Sequence, residues 1–209
     1  MTNKVKQNSL NNRTPRPYLS WSQLNSWEQN PNGYYERYVE GLEIPNTAYL
    51  KLGKKLADAL ENGDDGGDPM IGHLVLFLPA YQKKEFEIMV EFEGVPLKGK
   101  LDSFDPRKLR IREYKSSKNP WTQRMVDEHG QLTFYTLLVR QKYGKMPSSI
   151  HLDWAQTKEE EGELSFTGRV ETFKTERGLK DLIMMAGRIH RAWGGIGEMW
   201  RDMKNEQYK

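Results

Sequence analysis

The stretch GKLDSFDPRKLRIREYKSSK, Gly99 to Lys118, sets Asp102 upstream of a Glu-x-Lys formed by Glu113 and Lys115. Two carboxylates and an ammonium are residue types that can hydrolyse a phosphodiester around a hard cation. Mg²⁺ or Mn²⁺ takes oxygen ligands and keeps several waters, so few protein carboxylates suffice. If residues 105 to 108 form the turn of a hairpin, Asp102 lies opposite Ile111 and on the same face as Glu113. Diagonal neighbours of that kind are about 7–8 Å apart. Lys115, two residues beyond Glu113, projects to the same side. There it could orient a water or neutralise charge developing on phosphoryl oxygens. The same spacing also suits an ordinary ion pair on an edge strand, and spacing alone does not choose between them.

Such a site needs strands to carry it and helices to cover it. The pattern predicts a helix from Trp21 to Gln29, with Ser20 and Gln23 at capping-box spacing, and a break at Asn30-Pro31. A short helix from Tyr34 to Val39 follows. AYLKLGKKLADALENG reads as a helix with Gly53, Leu56, Ala57 and Leu60 on one stripe and a stop at Gly63. IGHLVLFLPAYQKK is ambiguous between helix and strand. Phe86, Ile88, Val90 and Phe92 alternate as in a half-buried strand. A strand over 97–104 comes next, then one in which Leu109, Ile111, Glu113 and Lys115 share a face. MVDEHGQLTFYTLLVRQKYG is helical around Gly130, SSIHLDWAQT and ELSFTGRVETFKT are strands, and the rest from Glu176 is helical. Gly194-Gly195 is predicted to break that last helix. No repeat is visible, and the order gives an α/β (α+β) fold.

At 209 residues, 36% hydrophobic and 29% charged, the chain is one large domain or two small ones. No apolar run is long enough to cross a bilayer. The start, MTNKVKQNSLNNRTPRP, has no apolar core of a signal peptide and reads as a flexible arm over 1–17. With no cysteine, thiolate zinc sites and Cys-ligated iron–sulfur clusters are excluded. A net charge of +3 suits an anionic partner without requiring one. A G-x-x-x-x-G-K-(S/T) phosphate loop is absent, so any unwinding motor would have to be a partner.

Four stretches, in order, resemble the RecB-like exonuclease branch of the PD-(D/E)XK nuclease superfamily. LSWSQLNSWEQNPNGYYERYV resembles its N-terminal helix pair, and GKKLADALE its G-x-x-x-H-x-x-x-E helix. GKLDSFD…LRIREYKSS resembles its G-x-(I/L)-D…(D/E)-x-K-(T/S) hairpin, and QLTFY its Q-x-x-x-Y helix. The resemblance implies a restriction-endonuclease-like core, a central mixed β-sheet flanked by helices. One nuclease domain would span 18–209, with a helical N-terminal subregion and a C-terminal helix. It implies Asp102, Glu113 and the Tyr114 carbonyl as ligands of Mg²⁺ or Mn²⁺, Glu61 as an upstream acidic ligand, and Lys115 as the catalytic lysine. Gln131 and Tyr135 would stack on one helix face beside the site, to hold nucleic acid or the lysine.

Two departures stand out. The family histidine falls on Ala57, and the cysteines that bind an iron–sulfur cluster in many relatives are missing, Asn30 standing at one of their positions. His73 as a substitute ligand is less natural than a structural histidine. His151 and Asp153, on one strand face, make a poor case for a zinc pair.

Ser116, Ser117 and Lys118 could touch phosphates, and Trp121 could meet a substrate strand in the loop that follows. The other aromatics, Trp21, Trp27, Tyr34, Tyr35 and Tyr38, suit a core or interface better than base stacking. The expected function is a metal-dependent deoxyribonuclease acting at DNA ends, in recombination, repair or viral DNA processing, in a prokaryotic or virus-infected cytoplasm. The alternative is a catalytically weak or inactive nuclease fold used as a DNA-binding or assembly subunit. The sequence leaves room for an oligomer and for a recombination or replication protein partner, and offers nothing for a membrane.

Overall fold

A computed structural model describes residues 14–207 apart from Ile44 and Asn46. Most of the arm expected over 1–17 thus lies outside the described residues. The described chain is an α/β fold with a mixed sheet and flanking helices, and it divides into two compact units.

The first unit takes its described residues from segments 1–44, 89–99 and 178–209. Strand β1 (Leu19–Ser20) runs parallel to the start of β3 (Val95–Asp105), Leu19 facing Leu97. Ser20 then caps helix α1 (Trp21–Gln29), its hydroxyl accepting the Gln23 N–H, as the capping-box spacing predicts. Pro31 at the first position of α2 (Pro31–Tyr38) uses a site where a missing N–H costs nothing. The last helix, α7 (Leu179–Gln207), packs on α1.

Gly194 and Gly195 do not interrupt α7. A Cβ on Gly195 would sit 2.7 Å from Cζ2 of Trp27, so this glycine makes room for an indole. Buried Ala192 and Ile196 on either side supply packing that outweighs the roughly 1 kcal/mol helical cost of each glycine.

The second unit comprises segments 45–88 and 100–177. Its helix α3 (Ala48–Asn62) starts on the Thr47 side chain and ends at Gly63 in the left-handed region, φ 77°, as the sequence predicts. The ambiguous stretch after the acidic loop is a helix, α4 (Pro69–Phe77), with Asp68 accepting the N–H groups of Met70 and Ile71. Strand β2 (Lys83–Phe92) begins earlier than Phe86.

The later part of β3 pairs antiparallel with β4 (Arg110–Ser117), which runs parallel to β5 (Ser149–Glu160). Antiparallel β6 (Glu163–Thr175) follows β5. Short α5 (Gln123–Asp127) and α6 (Gly130–Tyr143), separate as Gly130 suggests, connect β4 to β5. Leu52, Leu56 and Leu60 of α3, with Ile71 and Leu74 of α4, bury against Ala155 and Phe166 of the sheet. Consecutive residues Ile111, Arg112 and Glu113 of central β4 are all buried, so both faces are covered there, as expected of a strand in parallel pairing. No helix among the described residues is long and apolar enough to cross a membrane.

Candidate active site

The β3–β4 turn sets the site's geometry. Asp105 Oδ1 accepts the N–H groups of Arg107 and Lys108, both at 3.0 Å, and its Oδ2 takes the Arg110 guanidinium at 2.7 Å. Asp105 therefore pairs with Arg110, and Leu109 sits in the turn at φ 50° instead of on the strand face. This corrects the expected register: Phe104, not Asp102, faces Ile111. Continued one step further, the ladder sets Asp102 against Glu113. Asp102 Oδ2 accepts the Tyr114 N–H at 2.9 Å, which fixes that carboxylate on the neighbouring strand.

Glu113 is 1% exposed. Its Oε1 accepts from Lys115 Nζ at 2.6 Å, while its Oε2 is buried with no hydrogen-bond partner. Lys115 also donates to Gln131 Oε1 at 2.9 Å. Gln131 and Tyr135, one turn apart on α6, continue the chain: Gln131 Nε2 donates to the Tyr135 hydroxyl at 2.9 Å. That hydroxyl donates to the Lys100 carbonyl at 2.6 Å. The lysine is thus held at two points, and the glutamine that holds it is itself anchored to β3.

Burial and then the neighbouring Glu113 push the Asp102 carboxyl well above the ordinary carboxylate range. Burial alone would lower Lys115, but Glu113 and Asp102 outweigh it and hold the ammonium above its usual value. Lys115 is therefore a charged donor in this state and not a proton acceptor. His129, at the cap of α6, is pushed down to about 4 by burial and then by the charges of Lys115 and Arg177. Its Nδ1 is buried without a partner.

Asp102, Glu113, Lys115 and Gln131 line one cavity of about 460 Å³, with Glu61 and Ala57 of α3 on its wall. The chemistry of this donor set fits a small hard cation. Two carboxylates face one space, one of their oxygens is buried and unsatisfied, and their mutual repulsion is relieved by positive charge. Asp102 and Glu113 would hold it. No group of three or more His, Cys, Asp or Glu side chains gathers among the described residues, and Glu61 stands on the wall without joining the pair. Ala57 puts a methyl group on that wall where a ligating side chain could stand.

The remaining residues singled out in the sequence are more dispersed. Ser116 lines the cavity, whereas the Ser117 hydroxyl donates to the Asn119 carbonyl and accepts from Trp154 Nε1. Lys118 is exposed, and Trp121 meets His129 edge-on at 5.1 Å. Tyr114 turns its side chain away, donating its hydroxyl to the Pro79 carbonyl. His73 packs at a tilt against Phe77, and Asp153 spends both oxygens on Arg112.

Sequence reasoning missed Glu85, which lines the cavity and ion-pairs with Lys100, and His129. Glu85 falls where an alternating strand should continue, and only its positive φ of 49° betrays it. His129, just before Gly130, was within reach as a cap position.

A model of the PD-(D/E)XK nuclease superfamily matches residues 69–191, more than half of the chain. No curated protein sequence matches. Among solved structures, a candidate exonuclease from Eubacterium rectale superposes with a TM-score of 0.57 at 15% identity, covering 93% of this chain and 86% of its own. A phage-related exonuclease from Haemophilus somnus 129PT superposes with a TM-score of 0.55 at 13% identity, covering 81% and 79%. At these identities the likeness is one of fold.

Proposed function

This chain belongs to the PD-(D/E)XK nuclease superfamily, and from that premise we propose that it is a metal-dependent deoxyribonuclease that hydrolyses phosphodiester bonds at DNA ends. The observation that carries the reading is the conjunction of Asp102, Glu113, Lys115 and Gln131 on one cavity, with a buried Glu113 oxygen left unsatisfied. A bound Mg²⁺ or Mn²⁺ supplies Lewis acidity toward the phosphoryl oxygens and the attacking water.

The chain's own residues do the rest. Asp102, fixed by the Tyr114 N–H, and Glu113, fixed by Lys115, present their carboxylates without further ordering. The Lys115 ammonium positions the water and stabilises the negative charge that grows on the phosphoryl oxygens. Gln131 keeps that ammonium aimed, and Tyr135 keeps Gln131 in its rotamer. Action at ends is supported by the fold shared with two proteins designated exonucleases. Recombination, repair or phage DNA processing is the setting we assign.

A second reading, a nuclease fold kept for DNA binding or assembly, is favoured by one observation: Ala57 puts a methyl on the wall that faces the carboxylates. End-labelled linear DNA, single- and double-stranded, and a closed circle separate the two when incubated with Mg²⁺, Mn²⁺ or EDTA. We expect metal-dependent loss of the linear forms, survival of the circle, and a loss of about 10²- to 10³-fold in Lys115→Ala and Asp102→Ala. Binding without cleavage by folded wild-type protein in either metal would sink the enzyme reading.

A further inference from the structure

We infer that Lys54 is a phosphate-binding residue that holds a single nucleic-acid strand against the wall of the cavity opposite Lys115. The inference rests on the nuclease reading above and names how its substrate is held.

Helix α3 forms that wall, and three ties fix it in place. The Tyr49 hydroxyl donates to Glu159 Oε2 at 3.3 Å. Gly53 brings the helix so close to β4 that a Cβ there would lie 3.2 Å from the Ser116 hydroxyl. At the other end, Lys84 Nζ donates to the Glu61 carbonyl at 3.2 Å. Between these ties Leu50, Lys54, Ala57 and Glu61 follow the i, i+4, i+7, i+11 rhythm of one helix face, and all four line the cavity.

Three lysines reach this cavity. Lys115 is committed to Glu113 and Gln131, and Lys84 to the Glu61 carbonyl. Lys54 pairs with no carboxylate or carbonyl among the described residues, so its ammonium is the one available to an incoming anion. It shares the cavity wall with the Glu113–Lys115 pair from a helix tied to the sheet, the arrangement that positions a substrate without taking part in bond breaking. A cavity of about 460 Å³ has room for a group the size of a nucleotide. A duplex, whose major groove alone is about 12 Å wide, stays outside. The strand must therefore enter unpaired. One of its phosphates meets Lys54, and its sugar passes the apolar surface of Leu50 and Ala57.

Lys51, on the same helix, is exposed and does not line the cavity, which makes it the control for bulk charge. The test is fluorescence anisotropy of a labelled oligothymidylate in EDTA, where nothing turns over, across a salt series. Lys54→Ala should weaken binding by about 5- to 10-fold and reduce the slope of log affinity against log salt by about 0.7, the value for one phosphate contact on a single strand. Lys54→Arg should restore both, and Lys51→Ala should change neither. With Mg²⁺ added, Lys54→Ala should raise KM and leave kcat nearly unchanged, the signature of uniform binding. Equal losses in Lys54→Ala and Lys51→Ala, with wild type binding normally, would overturn the assignment while leaving the nuclease intact. Wild-type protein that binds no oligonucleotide in EDTA and cleaves none in Mg²⁺ would overturn both.

Discussion

Beyond the Asp105–Arg110 pair of the turn, strand β4 carries one carboxylate–cation pair on each face, and their carboxylates differ in how completely they are satisfied. On one face Arg112 Nη1 reaches both oxygens of Asp153, at 2.7 and 2.5 Å, and the Thr172 hydroxyl adds a bond to Oδ1. The Arg112 side chain is 8% exposed and that of Asp153 not at all. On the other face the Lys115 side chain is 29% exposed and Glu113 keeps an unsatisfied oxygen, with Asp102 beside it as a second, unneutralised acid. Both pairs are buried charge in one unit. The closed pair anchors β4 to β5, and the open one leaves room for a cation and a substrate. Arg112 Nε is buried without a partner too, so it is the satisfaction of the carboxylate, more than the presence of charge, that separates scaffold from site here.

The sharpest way to break this comparison is to remove one acid from each face. Asp153→Ala leaves a buried guanidinium uncompensated and should destabilise the fold by about 3–5 kcal/mol, read from the urea midpoint. Asp102→Asn should do the opposite. Its carboxyl is held in the folded state well above its ordinary value, so ionisation at neutral pH works against folding. The substitution should raise Tm, by about 2–4 °C for each kcal/mol relieved, while abolishing cleavage. If both variants lose stability alike, the two faces are equivalent and the distinction fails.

The pH dependence of stability sharpens the same contrast with smaller effects. A carboxyl raised on folding contributes stability that is fully present below its unfolded value of 3.8 and lost as pH rises through the folded one. Asp102→Asn should remove that decline. His129 acts in the other direction. It is depressed from 6.5 to about 4, so its contribution is full above 6.5 and is lost as pH falls toward 4. Discounted for its partial exposure, this is about 1–2 kcal/mol. His129→Gln should flatten the acid limb of a Tm profile between pH 6.5 and 4, and an unchanged limb would assign the loss to other groups.

The open face was legible in the sequence to an unusual degree. Asp102, Glu113 and Lys115 stand on one hairpin, and Gln131 and Tyr135 on the next helix, so residues that the resemblance singled out by their order along the chain also meet in space. The register was not legible. It depends on Asp105 gathering two backbone N–H groups and an arginine, which stretches the turn and moves Leu109 off the strand. The closed face was hidden too, because Arg112 and Asp153 meet only when β4 and β5 pair in parallel. The Gly194-Gly195 break failed for a related reason: the indole that Gly195 accommodates belongs to Trp27, far upstream in the chain. Local propensity identifies glycine as a weak point and has no knowledge of what presses against it.

Glu85 holds a different kind of lesson. Of the four non-glycine residues at positive φ among the described residues, Glu93, Leu109 and Glu161 sit at hairpin turns, whereas Glu85 lies inside a strand. Such a backbone costs of order 1–3 kcal/mol, and glycine at that position would escape most of it. A library at position 85 sorted for heat resistance alone should therefore drift to glycine or asparagine. One sorted for activity should keep glutamate, whose charge faces Lys100 and Asp102. Sequencing both pools would show whether the enzyme's easiest route to hardiness runs through the rim of its own cavity.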